Sequence, residues 1–187
     1  MQTLELWEAR WAPYDEPTYR AVLSYVQPDD VVLDIGAGDL RLARRMAEIA
    51  QRVFAIERQP NLLSNTVPLL RAANLAVICA DARQIPWPQG ITLGVLLMRH
   101  CTHFGFYVKR LRAIGCRRLV TNARWGMGVE LVDLGPRLAW HRVKIGWYAC
   151  SCGQTGFVPG PPDQLTEAVM ERVSEVEQCP ACDSKRG

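Results

Sequence analysis

The sequence has little net charge, no internal repeat and no long hydrophobic run. Its 22 lysine and arginine residues nearly balance 19 aspartate and glutamate residues, so the formal net charge is +3. This small charge is no strong signature of nucleic-acid binding, which relies on concentrated positive charge. No stretch is long enough to span a bilayer, and residues 1–10 lack the basic start and apolar run of a secretory signal. We therefore expect a cytoplasmic protein that has no membrane partner.

The size and cysteine content suggest one main domain with a small addition. Reduced thiols are expected in the cytoplasm, so the seven cysteines predict no structural disulfides, and clustered cysteines indicate a metal. With 187 residues, of which 49% are hydrophobic, the chain can bury one substantial core and little more. We expect one α/β domain over residues 1–149 and a C-terminal appendage over residues 150–187.

The run VVLDIGAGDL at positions 31–40 predicts a buried strand, a tight turn and the start of a helix. Gly36 and Gly38 let backbone approach a ligand, because a side chain at either position would fill that space. In an open α/β sheet, such a turn lies at the carboxyl end of the strand, where cofactors bind. A dinucleotide fingerprint would have a third glycine where Arg41 stands, so that interpretation is weak. Asp34 instead favours a ligand with a cationic or hydrogen-bond-donating group.

These residues resemble the first motif of the class I S-adenosylmethionine-dependent methyltransferases: two hydrophobic residues and an acid, then three glycines at alternate positions. Leu40 stands at the position of the third glycine. Two later acids strengthen the resemblance. Glu57 ends the apolar run VFAIE and can accept hydrogen bonds from both ribose hydroxyls. Asp81 ends the run AVICAD, where the family's acid accepts from the adenine amino group. The alternative is that both acids cap helices.

The resemblance implies an α/β fold with a doubly wound, mostly parallel, Rossmann-like sheet and S-adenosylmethionine as cofactor. Alternating strand and helix patterns also predict parallel strands joined by right-handed crossovers. The later strands are predicted at 53–57, 76–81, 91–98 and 117–125, with an antiparallel edge formed by 129–134 and 138–149. Helices are predicted from about residue 15, at 41–51, at 59–73 with a bend at Pro68, at 106–114 and at 163–173. The residues implied to hold the cofactor are Asp34, Gly36, Ala37, Gly38, Glu57, Arg58, Asp81, Ala82 and Arg99.

The methyl acceptor is expected at the sequence RHCTH, positions 99–103, after the fourth strand. Family members that methylate planar amino groups of bases or amides usually have an Asn/Asp-Pro-Pro-aromatic tetrapeptide there, which this chain lacks. His100 is the candidate catalytic base, and Arg99 can orient an acidic acceptor. The alternative is that the loop histidines only hydrogen-bond within the loop. Asn122 is a candidate cleft residue, and Trp87 either stacks on a ligand or anchors its loop.

Four cysteines in the C-terminal part predict a zinc site. Cys150 and Cys152 form a Cys-x-Cys pair, and Cys179 and Cys182 form a Cys-Pro-x-Cys pair. Four thiolates suit a tetrahedral Zn²⁺, and this segment has little apolar material to hold it in place otherwise. Because the Cys-x-Cys spacing is unusually tight, His141 or another group is an alternative ligand. A fully thiolate-coordinated ion has no open position, so we expect structural zinc.

The sequence therefore predicts a methyltransferase that moves a methyl group from S-adenosylmethionine to an unidentified acceptor. That acceptor is a small molecule, a protein or an RNA. The alternative is a non-catalytic S-adenosylmethionine-binding or scaffold protein with a structural zinc site. Leu40 and the missing tetrapeptide favour this alternative. A nicotinamide oxidoreductase is a more distant third interpretation.

Overall fold

Short apolar runs of the chain assemble into a six-stranded sheet in a computed structural model, which describes residues 14–64, 72–124, 127–150 and 152–183. The sheet has the order β3-β2-β1-β4-β5-β6. The first five strands are parallel, and β6 is antiparallel to β5. Its strands are β1 (Val31–Ile35), β2 (Arg52–Glu57), β3 (Leu75–Cys79), β4 (Leu93–Leu96), β5 (Arg118–Thr121) and β6 (Glu130–Asp133).

Four helices accompany this sheet. They are α1 (Glu16–Leu23), α2 (Arg41–Ala47), α3 (Pro60–Ser64) and α4 (Phe104–Ala113). Asp15 caps α1, because its side chain accepts a hydrogen bond from the backbone N of Thr18 at 2.9 Å. The predicted helix at 59–73 contains α3, and its predicted bend at Pro68 lies outside the described residues.

Helices cover both faces of the sheet. Alternate residues of a strand point to opposite faces, so Val32 packs in one core cluster with Met46 of α2. Leu33 packs in the other cluster with Leu111 of α4. The predicted doubly wound, mostly parallel fold is confirmed. The strand order reverses between β1 and β4, and ligands bind at such a switch point in open α/β sheets.

A second sheet contains four strands in the order β7-β10-β8-β9. They are β7 (Leu138–Ala139), β8 (Gly146–Cys150), β9 (Thr155–Val158) and β10 (Val173–Glu177). Two short helices complete this part, α5 (Glu167–Glu171) and α6 (Pro180–Asp183). The predicted boundary after residue 149 falls inside β8, so we propose a boundary between β6 and β7.

Two predicted elements are wrong in this region. The predicted strand at 138–149 is interrupted by a 3₁₀ turn at Trp140–Arg142, and its two halves pair with β10 instead of extending the main sheet. The predicted helix at 163–173 is only the short α5, because the chain after it pairs in parallel with β8. The antiparallel edge is confirmed for β6 alone.

Ion pairs join the two sheets. Arg124, just after β5, bonds to Glu130 of β6 and to Glu175 of β10. Arg137, whose side chain is 1% exposed, lies 2.9 Å from the same Glu175 carboxylate. Glu175 of the second sheet thus forms ion pairs with both arginines, whose side chains are largely buried. Across the described ranges, no helix combines the length and apolar character needed to cross a membrane.

Candidate functional site

The glycine turn after β1 has the backbone shape that a ligand-binding loop requires. Gly36 and Gly38 have φ values of +77° and +59°, which glycine adopts at little cost. The backbone N–H groups of Gly36 and Ala37 donate to the carbonyl of Ile56 at 2.8 and 3.0 Å. A Cβ atom on Gly36 would lie 3.0 Å from Cε of Met98. The turn is therefore packed against the ends of both β2 and β4.

Leu40, which stands at the position of the motif's third glycine, has a left-handed backbone conformation. Its φ is 66°, and its side chain is completely buried. The left-handed conformation costs a non-glycine residue about 1–2 kcal/mol, and burial of a leucine side chain contributes about as much in the opposite direction. Burial of the Leu40 side chain therefore offsets the cost of its left-handed backbone. Leu40 is the N-cap residue of α2.

Asp34 is a buried carboxyl group with one unpaired oxygen. The residue is 3% exposed, and its Oδ2 atom has no hydrogen-bond partner. Burial, followed by the charge of nearby Glu57, raises the pKa of Asp34 to about 7. An unpartnered buried acid is costly. A ligand that brings a cation or a hydrogen-bond donor would relieve this cost.

Glu57 holds the glycine turn in place. Its Oε2 accepts from the backbone N of Gly38 at 2.9 Å, and its Oε1 accepts from the backbone N of Gln59 at 2.8 Å. The bond from Gln59 is of the kind expected if Glu57 caps a helix, since α3 begins at Pro60. Each carboxylate oxygen can accept more than one hydrogen bond, so capacity for a ligand hydroxyl remains.

Asp81 forms an ion pair with Arg83. The Arg83 side chain donates to both carboxylate oxygens, at distances from 2.6 to 3.2 Å, and the Arg83 backbone N donates to Oδ1 at 2.9 Å. These bonds hold the pKa of Asp81 down, to about 2, and the charge of Arg58 also contributes. The Nη1 atom of Arg83 lies 3.0 Å from Nε2 of His103. The Asp81 side chain remains 19% exposed, so a ligand can reach it.

Trp87 anchors its loop. It is only 5% exposed, and its Nε1 donates to the carbonyl of Ala82 at 2.8 Å. Its ring packs with Tyr107 of α4. The structure therefore supports the interpretation that Trp87 anchors its loop.

The loop after β4 contains the predicted acceptor residues. The Arg99 guanidinium carbon lies 5.1 Å from the centre of the Tyr14 ring, and the Tyr14 hydroxyl donates to the Leu97 carbonyl at 3.0 Å. His100 is exposed and has a φ of 61°. His103 contacts Arg83, so this histidine bonds outside its own loop.

Asn122 follows β5 and is buried without partners. It is 1% exposed, and neither its Oδ1 nor its Nδ2 atom has a hydrogen-bond partner. By contrast, the hydroxyl of the preceding Thr121 donates to the Leu96 carbonyl at 2.7 Å. The sequence indicated Asn122 because it is a polar residue at the end of an apolar strand. Its unsatisfied amide is a second reason to regard it as a candidate cleft residue.

A cleft of about 220 Å³ lies between the start of α4 and the second sheet. Cys101, Thr102 and Ala123 line one side of it, and Gly153 and Thr155 line the other. The sequence did not indicate this cleft, because its walls come from segments that are far apart in the chain.

The four predicted cysteines come together at one place. The Sγ atoms of Cys150, Cys152, Cys179 and Cys182 all lie within 4.8 Å of one another, with three pairs at 3.6–3.8 Å. Zinc–sulfur bonds of about 2.3 Å in a tetrahedron would separate the sulfurs by about 3.8 Å. Among the described residues, the cluster contains these four cysteines and not His141, which favours the all-cysteine set over the alternative. The cluster has the composition and spacing of a metal site.

No family model matches the chain. A segment of 65 residues is 38% identical to the probable ribosomal RNA small subunit methyltransferase A of Methanosarcina mazei, covering 34% of this chain and 24% of the relative. Another comparison, over 76 residues, gives 36% identity to protein-L-isoaspartate O-methyltransferase 1 of Syntrophobacter fumaroxidans, with 39% of this chain and 35% of the relative covered. The chain thus spans about a quarter to a third of the length of these relatives.

Solved structures show a similar fold over a larger part of the chain. Precorrin-6y C5,15-methyltransferase from Geobacter metallireducens has a TM-score of 0.53 and 19% identity, covering 60% of this chain and 64% of its own. At this identity the likeness shows the fold alone. A dimethyladenosine transferase from Plasmodium falciparum has a similar fold, with a TM-score of 0.50, 18% identity, and coverage of 57% of this chain and 41% of its own. The resemblance drawn from the sequence is confirmed.

Proposed function

We propose that the chain is an S-adenosylmethionine-dependent methyltransferase. Asp34 carries this proposal, because its buried carboxyl group has an unpaired oxygen beside a glycine turn at the switch point of the sheet. A ligand with ammonium and sulfonium groups would supply the missing positive partner. The methyltransferase names of the relatives support the same chemistry.

Three acids would hold different parts of the cofactor. Asp34 faces its cationic end, Glu57 binds the ribose hydroxyls, and Asp81 accepts from the adenine amino group. Asp81 must first release Arg83, which is inexpensive because exposed ion pairs contribute about 0–1 kcal/mol. The other residues proposed to line the cofactor are Gly36, Ala37, Gly38, Arg58, Ala82 and Arg99.

The bound cofactor would supply the electrophilic methyl group, and the protein would hold the acceptor in line with it. No covalent enzyme intermediate is needed. We propose His100 as the base that takes the acceptor's proton, since it is exposed at the end of β4. The Asn122 amide, which can both donate and accept, would orient the acceptor.

The acceptor is a small molecule, a protein or an RNA. Relatives named as ribosomal RNA methyltransferases support an RNA. The chain lacks the Asn/Asp-Pro-Pro-aromatic tetrapeptide, which argues against methylation of the planar amino groups of bases or amides. Its small net charge adds no support for an RNA acceptor.

We also propose that the four cysteines bind a structural Zn²⁺. The sulfur spacing fits a tetrahedral ion, and the second sheet has a small apolar core built partly from the cysteines themselves. With all four positions taken by thiolates, the ion would cross-link the ends of β8 and β10. The alternative, a non-catalytic cofactor-binding or scaffold protein, keeps this zinc site but is not favoured by the enzyme names of the relatives.

Calorimetric titration with S-adenosylmethionine and S-adenosylhomocysteine tests the cofactor. We expect micromolar binding, weakened by about 1–3 kcal/mol in Glu57→Ala and in Asp81→Ala because buried ligand groups lose their partners. Glu48→Ala, an exposed acid at the end of α2, is the control and should bind like the wild type. A folded sample that binds neither ligand would contradict the proposal.

Transfer is tested separately with cofactor that carries a labelled methyl group. The protein is incubated with RNA, protein and small-molecule fractions of a cell extract, and the label is followed into each. Label in one fraction, lost in His100→Ala with unchanged cofactor affinity, would support catalysis. Strong cofactor binding with no label in any fraction would favour the non-catalytic alternative.

A further inference from the structure

Arg110, on α4, fastens the loop that follows β3. Its Nη1 donates to the carbonyl of Ala82 at 2.7 Å, and its Nη2 donates to the carbonyl of Ile85 at 2.8 Å. Hydrogen bonds from a charged donor are stronger than neutral ones. The planar guanidinium reaches both acceptors in one fixed geometry, which a lysine cannot reproduce.

Aromatic rings hold this guanidinium in place. Its central carbon lies 4.3 Å from the centre of the Trp87 ring and 5.6 Å from that of Phe106. Such cation–π contacts contribute about 0.5–2 kcal/mol. Trp87 itself donates to the same Ala82 carbonyl that Arg110 contacts. Two donors therefore converge on one peptide oxygen and determine the orientation of that peptide.

The fixed peptide lies directly after Asp81. Between β3 and β4 the chain has no helix or strand, so the loop has no regular hydrogen-bond ladder to hold it. Its backbone contacts include the bond from Ala80 N to the Glu57 carbonyl and the bond from Gln84 N to the Asp81 carbonyl. The anchor on the Ala82 carbonyl is therefore the contact from α4 closest in sequence to Asp81.

We infer that Arg110 is a positioning residue that, through the Ala82 carbonyl, places Asp81 for recognition of the adenine amino group. This inference rests on the proposed function, since it concerns the adenine end of the same cofactor site. Arg110 does not contact the cofactor in this account. Loss of its side chain would let the loop shift and would reduce the preference for an amino group at that position of the base.

Arg112 provides a matched control on the same helix. It also donates to backbone carbonyls, from Nε to Leu134 at 3.2 Å and from Nη2 to Gly135 at 3.3 Å. These carbonyls belong to the connection after β6 and not to the loop after Asp81. Arg112→Met should therefore lower thermal stability as Arg110→Met does, without changing recognition of the base.

The experiment measures dissociation constants of wild type, Arg110→Met, Arg110→Lys and Arg112→Met by calorimetry. The ligands are S-adenosylhomocysteine and S-inosylhomocysteine, in which an oxo group replaces the adenine amino group. We expect Arg110→Met to weaken the binding of S-adenosylhomocysteine about tenfold and that of S-inosylhomocysteine about threefold or less. The ratio of the two dissociation constants, which measures discrimination between the bases, would then fall. Arg110→Lys should recover part of it, and Arg112→Met should keep both affinities within about twofold.

Three results would overturn the inference. In the first, Arg110→Met and Arg110→Lys bind S-adenosylhomocysteine as tightly as the wild type. In the second, both ligands weaken by the same factor, as general damage to the fold would cause. In the third, the wild type binds neither ligand, and then the proposed function fails together with the inference. Circular dichroism identifies a variant that does not fold, in which case Arg110→Lys decides.

Discussion

The Glu57 carboxylate at the end of β2 accepts a hydrogen bond from the backbone N–H of Gly38, with 2.9 Å between Oε2 and N. This bond ties the second strand to the turn that follows the first. Because Glu57 is only 6% exposed, water cannot easily replace it as the acceptor. One acid therefore both shapes the glycine turn and remains available to a ligand hydroxyl.

Glu57→Gln should destabilise the protein even without a ligand. An amide offers one acceptor oxygen where the carboxylate offers two, so the N–H of Gly38 or of Gln59 loses its partner. We expect the free energy of unfolding, measured in urea, to fall by about 1–3 kcal/mol. The exposed control Glu48→Gln should stay within about 0.5 kcal/mol of the wild type. Equal values for the two variants would refute this role of Glu57.

Asp34→Asn should change how stability depends on pH. Burial raises the folded-state pKa of Asp34 from 3.8 to about 7, so the folded protein holds this proton more tightly than the unfolded chain does. The contribution of Asp34 to the free energy of unfolding is therefore largest below about pH 4. It decreases as the pH rises to about 7 and is constant above that.

The asparagine variant is neutral at every pH. It should match the wild type near about pH 4 and exceed it by a few kcal/mol above about pH 8. Denaturant unfolding across this range measures the difference. A difference that does not vary with pH would show that the Asp34 carboxyl is not held neutral by burial.

Arg83→Ala should tighten cofactor binding slightly. In the structure the Arg83 guanidinium occupies the Asp81 oxygens that the adenine amino group needs. Because exposed ion pairs contribute about 0–1 kcal/mol, we expect a decrease of about two- to threefold in the dissociation constant of S-adenosylhomocysteine. Arg20→Ala, on the exposed face of α1, should leave the constant unchanged. Weaker binding by Arg83→Ala would mean that Arg83 contacts the cofactor itself.

Glu175→Gln should be far more damaging than Glu177→Gln. Glu175 neutralises both Arg124 and Arg137, whose side chains are 11% and 1% exposed. Removal of its charge takes away the acid that pairs with the buried Arg137 side chain, at a cost of about 3–5 kcal/mol, whereas Arg124 keeps its ion pair with Glu130. Glu177 pairs with Arg112 but is 53% exposed, so its variant should lose at most about 1 kcal/mol. Similar melting temperatures for the two variants would contradict a central role for the inter-sheet ion pairs.

Cys182→Ser should lose a bound metal and destabilise the second sheet. Its Sγ lies 3.8 Å from those of Cys150 and Cys179. We expect the wild type to contain about one zinc per chain by elemental analysis, and a chelator to lower its melting temperature. Cys79→Ser, at an exposed position in β3, should keep both the metal and the melting temperature. Metal-free wild-type protein that melts like the untreated sample would argue against the site.

Local pattern was enough to predict the centre of the fold. The run from Val31 to Ile35 is apolar except for Asp34 and is followed by glycines, a pattern that predicts a buried strand and a turn. Acids at the ends of the next two strands indicated the edge where Glu57 and Asp81 now lie. The roles of these residues toward the cofactor remain predictions.

Pairing between distant segments was not predictable in the second sheet. Residues 173–177 follow directly after a short helical run, and only their parallel pairing with β8 makes them a strand. The arginines were equally ambiguous, since the sequence alone does not distinguish a solvent-exposed Arg from one that anchors a loop, as Arg110 does.

The sequence by itself determined the class of fold, the glycine turn and the four cysteines, because each depends on residue types at short, regular spacing. Only the tertiary structure decided the partners of the charged and amide groups. Asp81 binds Arg83, Glu175 binds two buried arginines, and the Asn122 amide is left without a partner. Such contacts depend on how helices and sheets pack, and packing is a property of the whole chain.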